Sequence, residues 1–224
     1  MKKLALAAVV VAAAVFPTTA LAGTFTGVVV GKGGGTLAIA AKSGLVRTVP
    51  SRAHLRLGAR VHVNGTAVRS FGVAGHARVR AVVIRRSGRT TFLAAGRSLL
   101  AMRAATAPAV GAVVDASVAI GGRGLMQQSV RIVGHEDRVT VQATVAAVGP
   151  GTITVSINGQ SLTLRLPAGI QLPASLVGQS VTLTVEVEDE NEVEVENEPN
   201  DDNDDGDHHG GDDGGHHGHG GGDG

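Results

Sequence analysis

The chain of 224 residues has no cysteine, no tryptophan and no tyrosine, and only four phenylalanines. Without cysteine there is no disulfide, no thiol catalysis and no lipid-modified cysteine anchor. The aromatic shortage excludes as much. Single-strand nucleic-acid binders built on small β-barrels stack bases on aromatic rings, and sugar-binding surfaces use the same rings. After residue 22 only Phe25, Phe71 and Phe92 remain, too few for either platform. Nucleic acid is therefore disfavoured as a partner.

Acidic residues are also scarce over most of the length. Between Gly23 and Val185 there are 18 Lys+Arg against three acids, Asp115, Glu136 and Asp137, a balance of +15. From Glu186 to Gly224 there are 16 Asp+Glu and no Lys or Arg, a balance of −16. The net charge of +1 thus hides a basic body joined to an acidic tail, and that asymmetry says more than the total.

Long apolar runs are missing except at the start. Lys2 and Lys3 precede an apolar stretch from Leu4 to Phe16, followed by Pro17 and then Ala20-Leu21-Ala22. This is the pattern of a secretory signal peptide over residues 1–22, cleaved before Gly23. The stretch falls short of the ~20 residues of a spanning helix, so the processed chain is expected to have no transmembrane segment. It is expected to be exported, to a periplasm, a cell wall or the medium.

The body reads as strands. Thr24–Val30, Thr36–Ala40, Leu45–Val49, Arg60–Val68 and Arg78–Ile84 are short runs of period two, rich in Val, Ile, Leu and Thr and punctuated by glycine. Leu99–Ala105 alone has a helical stripe, and it is very short. The runs also echo one another. Val30-Gly31-Lys32-Gly33-Gly34-Gly35-Thr36-Leu37 resembles Val148-Gly149-Pro150-Gly151-Thr152-Ile153. Val49-Pro50 leads to Leu57-Gly58-Ala59-Arg60-Val61 as Leu166-Pro167 leads to Val177-Gly178-Gln179-Ser180-Val181. Val110-Gly111-Ala112-Val113-Val114 is a fainter third copy.

These stretches (strand, glycine turn, strand, a Pro-containing loop, then Leu/Val-Gly-x-x-Val) resemble the small OB-like β-barrel domains of unknown function found in exported bacterial proteins. The resemblance covers residues 24–85 and 139–188. It implies a fold, brings no established activity and carries over no catalytic residues. The predicted organisation is all-β, with two or three small OB-like barrel or sandwich modules in tandem. Their expected bounds are 23–87, 88–137 and 138–190, the middle one being either a module or extra strands on a shared barrel. Residues 191–224 form the acidic His/Gly/Asp-rich tail. After Pro199 it contains only Asn, Asp, Gly and His, which predicts disorder because nothing there can bury enough apolar surface to offset ordering.

The tail holds the one cluster with metal-ligating chemistry. His208, His209, His216, His217 and His219 stand among Asp207, Asp212 and Asp213. Imidazole suits zinc, copper and nickel, and carboxylates add oxygen ligands. Binding there should fall as the histidines protonate near pH ~6. No cofactor is required.

Catalytic motifs are lacking. Asp115 is the only carboxylate in residues 23–135, which leaves Glu136 and Asp137 to complete any pair in the body. His54, His62, His76 and His135 are scattered. The segment Gly31 to Thr36 has the composition of a phosphate loop, but its lysine comes too early and no helix follows, so a hairpin turn is expected. A non-enzyme is the expectation. The leading reading is an exported β module with a structural or interaction role in the cell envelope. Divalent-metal sequestration by the tail and binding of an anionic envelope polymer by the arginine-rich body are the alternatives. Exposed strand edges leave self-association open.

Overall fold

The structure is a computed structural model that describes residues 9–12 and 23–187, except 34, 52, 107, 123, 158 and 159. The chain divides into a unit spanning Met1–Glu192 and one spanning Val193–Gly224, and all described residues belong to the former.

Strands account for nearly all of this unit. They are β1 (Val9–Ala12), β2 (Thr24–Gly33), β3 (Thr36–Ala40), β4 (Val46–Pro50), β5 (Ala59–Asn64) and β6 (Ala67–Val73). There follow β7 (His76–Ser87), β8 (Thr90–Ala95), β9 (Ser98–Arg103), β10 (Ala112–Gly121) and β11 (Gly124–His135). The last are β12 (Arg138–Gly149), β13 (Thr152–Ile157), β14 (Gln160–Arg165) and β15 (Ser180–Glu186). A 3-10 turn at Ala174–Leu176 is the one helical element among the described residues.

One ladder pattern recurs. The first five-stranded sheet runs β4-β3-β2-β5-β6. Within the ten-stranded sheet, β9-β8-β7-β10-β11 repeats that order, and β11 then pairs parallel with β9 through Leu125↔Met102 and Met126↔Arg103. The path β14-β13-β12-β15 repeats it again. The order third-second-first-fourth-fifth, with the fifth strand parallel to the third, is that of an OB-like barrel. The fold is therefore all-β, with OB-like units in tandem. Strand β7 pairs with β8 and β10, which places it with the strands that follow it.

The first strand of each unit serves two neighbours by bending. In β2, the N-terminal half pairs with β5 and the C-terminal half with β3, with a bulge between Val29 and Gly31. Strands β7 and β12 do the same, with bulges at Val83/Arg85 and Val145/Ala147. A bulge adds the local twist and bend that barrel closure demands. The glycine of each Leu/Val-Gly-x-x-Val stretch then locks the bend. Gly58, Gly111 and Gly178 have φ of +82°, +88° and +83°, conformations that side chains resist. Each donates its N–H at 2.8 Å to a bulge carbonyl, of Val29, Val83 and Val145 respectively.

Burial separates two kinds of strand. Strand β5 alternates buried and exposed residues along its length, as a half-buried strand should. Strands β3 (TLAIA) and β8 (TTFLAA) are buried at nearly every position. Both of their faces are covered. Val29, Leu37, Ile39, Val49, Val61 and Val63 fill the first barrel. On the other face, Val30, Ala38, Ala40 and Val46 join the core that runs through the second and third barrels. Polar ties join the units too: Arg80 N–H donates to the Gly44 carbonyl at 2.7 Å, and Gln142 N–H to the Arg97 carbonyl at 2.7 Å. The buried Ser98 hydroxyl is satisfied by Thr48 Oγ1 at 2.7 Å.

Candidate functional site: an arginine-rich sheet face

The outward face of β7, β10 and β11 groups three arginines around one carboxylate. Inward, Val79, Ala81, Val114, Ala116 and Val118 are core residues. Outward positions of the same strands are therefore free to be polar. Asp115 lies across from Arg80 on β7 and from Arg131 on β11. Its carboxylate is taken by the diagonal neighbour: Arg78 Nε donates to Asp115 Oδ1 at 2.6 Å, and Arg78 Nη2 donates to Oδ2. Arg131 Nη2 stands 3.9 Å from the same oxygen.

The electrostatics follow from this fork. The hydrogen bond from Arg78 holds the Asp115 carboxyl below its ordinary range. Partial burial pushes the other way, and the charges of Arg78, Arg131 and Arg80 add to the lowering. Asp115 raises the Arg78 guanidinium in return, first through the hydrogen bond and then through its charge. Asp115 thus serves as an ionised anchor for Arg78. One carboxylate among three guanidiniums leaves the face positive. Arg78 and Arg131 remain 53% and 74% exposed while Asp115 is 12% exposed, so the donors that Asp115 does not use point to solvent. Beside them lies an open groove of about 450 Å³, lined by His76, Arg78, Asp115, Ser117, Ser129 and Arg131.

Of the other sequence-derived candidates, His76 lines the groove. The tail ligands His208, His209, His216, His217, His219, Asp207, Asp212 and Asp213 lie outside the described residues, as does all of the predicted leader except 9–12. His54 and His62 are exposed on the first unit, and His135 meets Asp137 at 2.8 Å. Glu186 is paired with Arg138 at 2.5 Å. No group of three or more His, Cys, Asp or Glu that could hold a metal occurs among the described residues. Gly31–Gly33 end β2 and Thr36 starts β3, with the Thr36 hydroxyl donating to the Gly33 carbonyl at 2.7 Å. The crevice beside it, lined by Lys32, Ser98, Gln142, Thr144 and Ser180, measures about 40 Å³, room for little more than water. Phe92 is buried and Phe25 lies under the Arg47 guanidinium at 4.7 Å, which leaves Phe71, 61% exposed, as the one open ring among the described residues.

Sequence reasoning counted the arginines but missed their grouping around Asp115. The signal was present in part, because Arg78, Arg80 and Asp115 fall on polar positions of alternating strands. Which strands are neighbours is a matter of topology.

No family model matches the sequence, and no curated protein does. Among solved structures the chain is similar to one described as "drosophila Unr CSD456", at 14% identity and a TM-score of 0.22, over 73% of this chain and 90% of that one.

Proposed function

We propose that the protein is an exported, non-catalytic interaction module of the cell envelope whose arginine-rich barrel face holds an anionic polymer. The observation that carries this reading is the Asp115 cluster. One anchored carboxylate orders Arg78 and leaves Arg80, Arg131 and the free side of Arg78 facing solvent. Guanidinium forks suit phosphate and carboxylate groups spaced along a chain. With Phe71 the one open ring among the described residues, a backbone-reading, charge-based mode is favoured over base or sugar stacking. A non-catalytic role fits the carboxylates. Asp115, Asp137 and Glu186 each face a cationic or imidazole partner, and Glu136 is exposed next to Asp137, so each carboxylate of the described residues is either paired or open to solvent.

The test is a titration of the full chain with linear polyphosphate at two salt concentrations. Binding should weaken roughly tenfold between about 50 and about 200 mM salt, the loss expected for two or so released phosphate counterions. The double change Arg80→Gln/Arg131→Gln leaves the Arg78–Asp115 fork in place and should flatten that salt dependence. An unchanged titration for the double variant would remove the face from the reading.

A further inference from the structure

The third unit is completed in an unusual way. In the first and second units the fifth strand follows the fourth as a hairpin, β5–β6 and β10–β11. In the third, the strand beside β15 is β1, from the opposite end of the unit. It runs antiparallel with Val9↔Val185, Val10↔Thr184, Val11↔Leu183 and Ala12↔Thr182. This is the position that β6 and β11 hold in the other units.

The edge it covers is well defined. Val187 N–H donates to the Asp137 carbonyl at 2.7 Å, and the Gln179 carbonyl accepts from Val145 N–H at 2.9 Å. In an antiparallel ladder these groups alternate from side to side. Val181, Leu183 and Val185 therefore direct their backbone groups to β12, while Thr182, Thr184 and Glu186 direct theirs to the outer edge. The side chains of Val181, Leu183 and Val185 are buried in the barrel, and cross-strand neighbours share a face. A strand on this edge thus needs apolar residues opposite Leu183 and Val185, which is where Val11 and Val9 stand.

We propose that the outer edge of β15 is a strand-acceptor site for an extended, uncharged aliphatic segment. The N-terminal segment fills it in the full chain. Once residues 1–22 are removed, an aliphatic strand of another polypeptide takes the same edge. The second half of this statement rests on the reading of the chain as an exported, processed protein. Removal of β1 leaves the outward N–H and C=O groups of Thr182, Thr184 and Glu186 unpaired, the situation in which sheet edges capture strands. A free strand suits the vacancy better than β15 of a second copy. The apolar side chains of that β15 are already committed to its own core and cannot enter another.

The absence of cysteine makes the seat testable by cross-linking. In the full chain, Val10→Cys/Thr184→Cys should close a disulfide on mild oxidation, since directly paired residues sit about 5.5 Å apart at Cα. Val10→Cys/Thr182→Cys should not. Failure of the first pair to cross-link overturns the seat. A lysine-flanked fluorescent peptide of residues 4–16 is then titrated into the chain beginning at Gly23. It should bind saturably, lose binding with Thr184→Pro, which deletes one outward N–H, and bind the cross-linked full chain at least about tenfold more weakly, given the millimolar effective concentration of a tethered strand. If the Gly23 chain loses its β-sheet circular dichroism, recovery on adding peptide supports the proposal, and no recovery overturns it. So does a concentration-dependent dimer that excludes the peptide, or binding that appears only when the chain ends at Val187, because the edge then belongs to a second copy or to the chain's own C-terminus. N-terminal sequencing of the exported protein separates the two readings. An exported chain that still begins at Met1 defeats the processing step, while the titration still decides whether the edge accepts a strand.

Discussion

The second and third barrels share their strand order, their bulge and their glycine turn, and they part at the fifth strand. In the second, β11 continues directly from β10 and returns to β9, so the sheet closes on itself. In the third, β15 is flanked on its outer side by Val9–Ala12. The closed barrel has room to specialise its surface, and the arginine cluster around Asp115 sits on its outward face. The other unit keeps an edge whose occupant comes from elsewhere in the sequence. The same topology thus gives a charged face in one place and a strand seat in another, depending on how the last edge is satisfied.

The largest expected effects test whether the two barrels are energetically separate. Leu100 in the second and Leu183 in the third are both 0% exposed and belong to one continuous core. Truncating either to alanine should cost about 3 kcal/mol. Because the core is shared, each change should shift one common unfolding transition. With no tryptophan or tyrosine, urea unfolding is best followed by far-ultraviolet circular dichroism. Two transitions, only one of which moves, would show that the barrels unfold independently.

The equivalent glycines sharpen the comparison at the next level. A Cβ on Gly58 would lie 2.7 Å from the Ala74 carbonyl oxygen, just past the fifth strand of its unit. On Gly111 it would run into the His135 ring, and a half-exposed ring can swing aside. On Gly178 it meets nothing within 4 Å. Gly58→Ala therefore combines left-handed strain with a backbone clash, about 3 kcal/mol. Gly178→Ala carries the strain alone, about 1 kcal/mol, with Gly111→Ala between them. Equal midpoint shifts in urea for the three variants would mean that their surroundings after the fifth strand are alike.

Much of this was legible from residue order, and the gaps have physical causes. Period-two runs gave Thr36–Ala40 its bounds and placed β2, β4 and β7 within a few residues. The recurring Leu/Val-Gly-x-x-Val stretch singled out Gly58, Gly111 and Gly178, though not that they lock a bulge. The run Arg60–Val68 looked continuous but holds two strands, β5 and β6, because the turn at Gly65 interrupts a pattern that stays apolar-polar on both sides. The helical stripe at Leu99–Ala105 lies instead mostly in β9, whose two covered faces make it apolar without alternation. Ladder partners are the harder loss. Nothing local in Asp115 says that Arg80 and Arg131 flank it, or that an N-terminal segment would pair with β15. The tail ligands from Asp207 to His219 were legible as chemistry, and they lie outside the described residues.

Titration probes the cluster of the second barrel on a smaller scale. The folded state lowers the Asp115 carboxyl pKa. Such a group stabilises the fold above its unfolded value, roughly pH 3.9, and that contribution fades as pH falls through the lower folded value. Asp115→Asn should therefore lower the thermal midpoint at neutral pH and have less effect in strong acid, so that the two melting curves converge as pH drops. A constant gap across the acid range would show that the carboxylate contributes shape and not charge.

The smallest effect belongs to the ion pair at the end of the third barrel. Arg138 and Glu186 close the β12–β15 ladder at 2.5 Å but stay 67% and 36% exposed. Water and salt screen such a pair, and holding two long side chains costs entropy, so Arg138→Ala should change stability by no more than about 0.5 kcal/mol. The Arg78–Asp115 pair differs because its carboxylate is mostly covered and answers to three arginines. If Arg138→Ala were as damaging as Asp115→Asn at neutral pH, exposure would not be what separates the two pairs. The cause would then lie in the β12–β15 ladder itself, whose end Arg138 and Glu186 close.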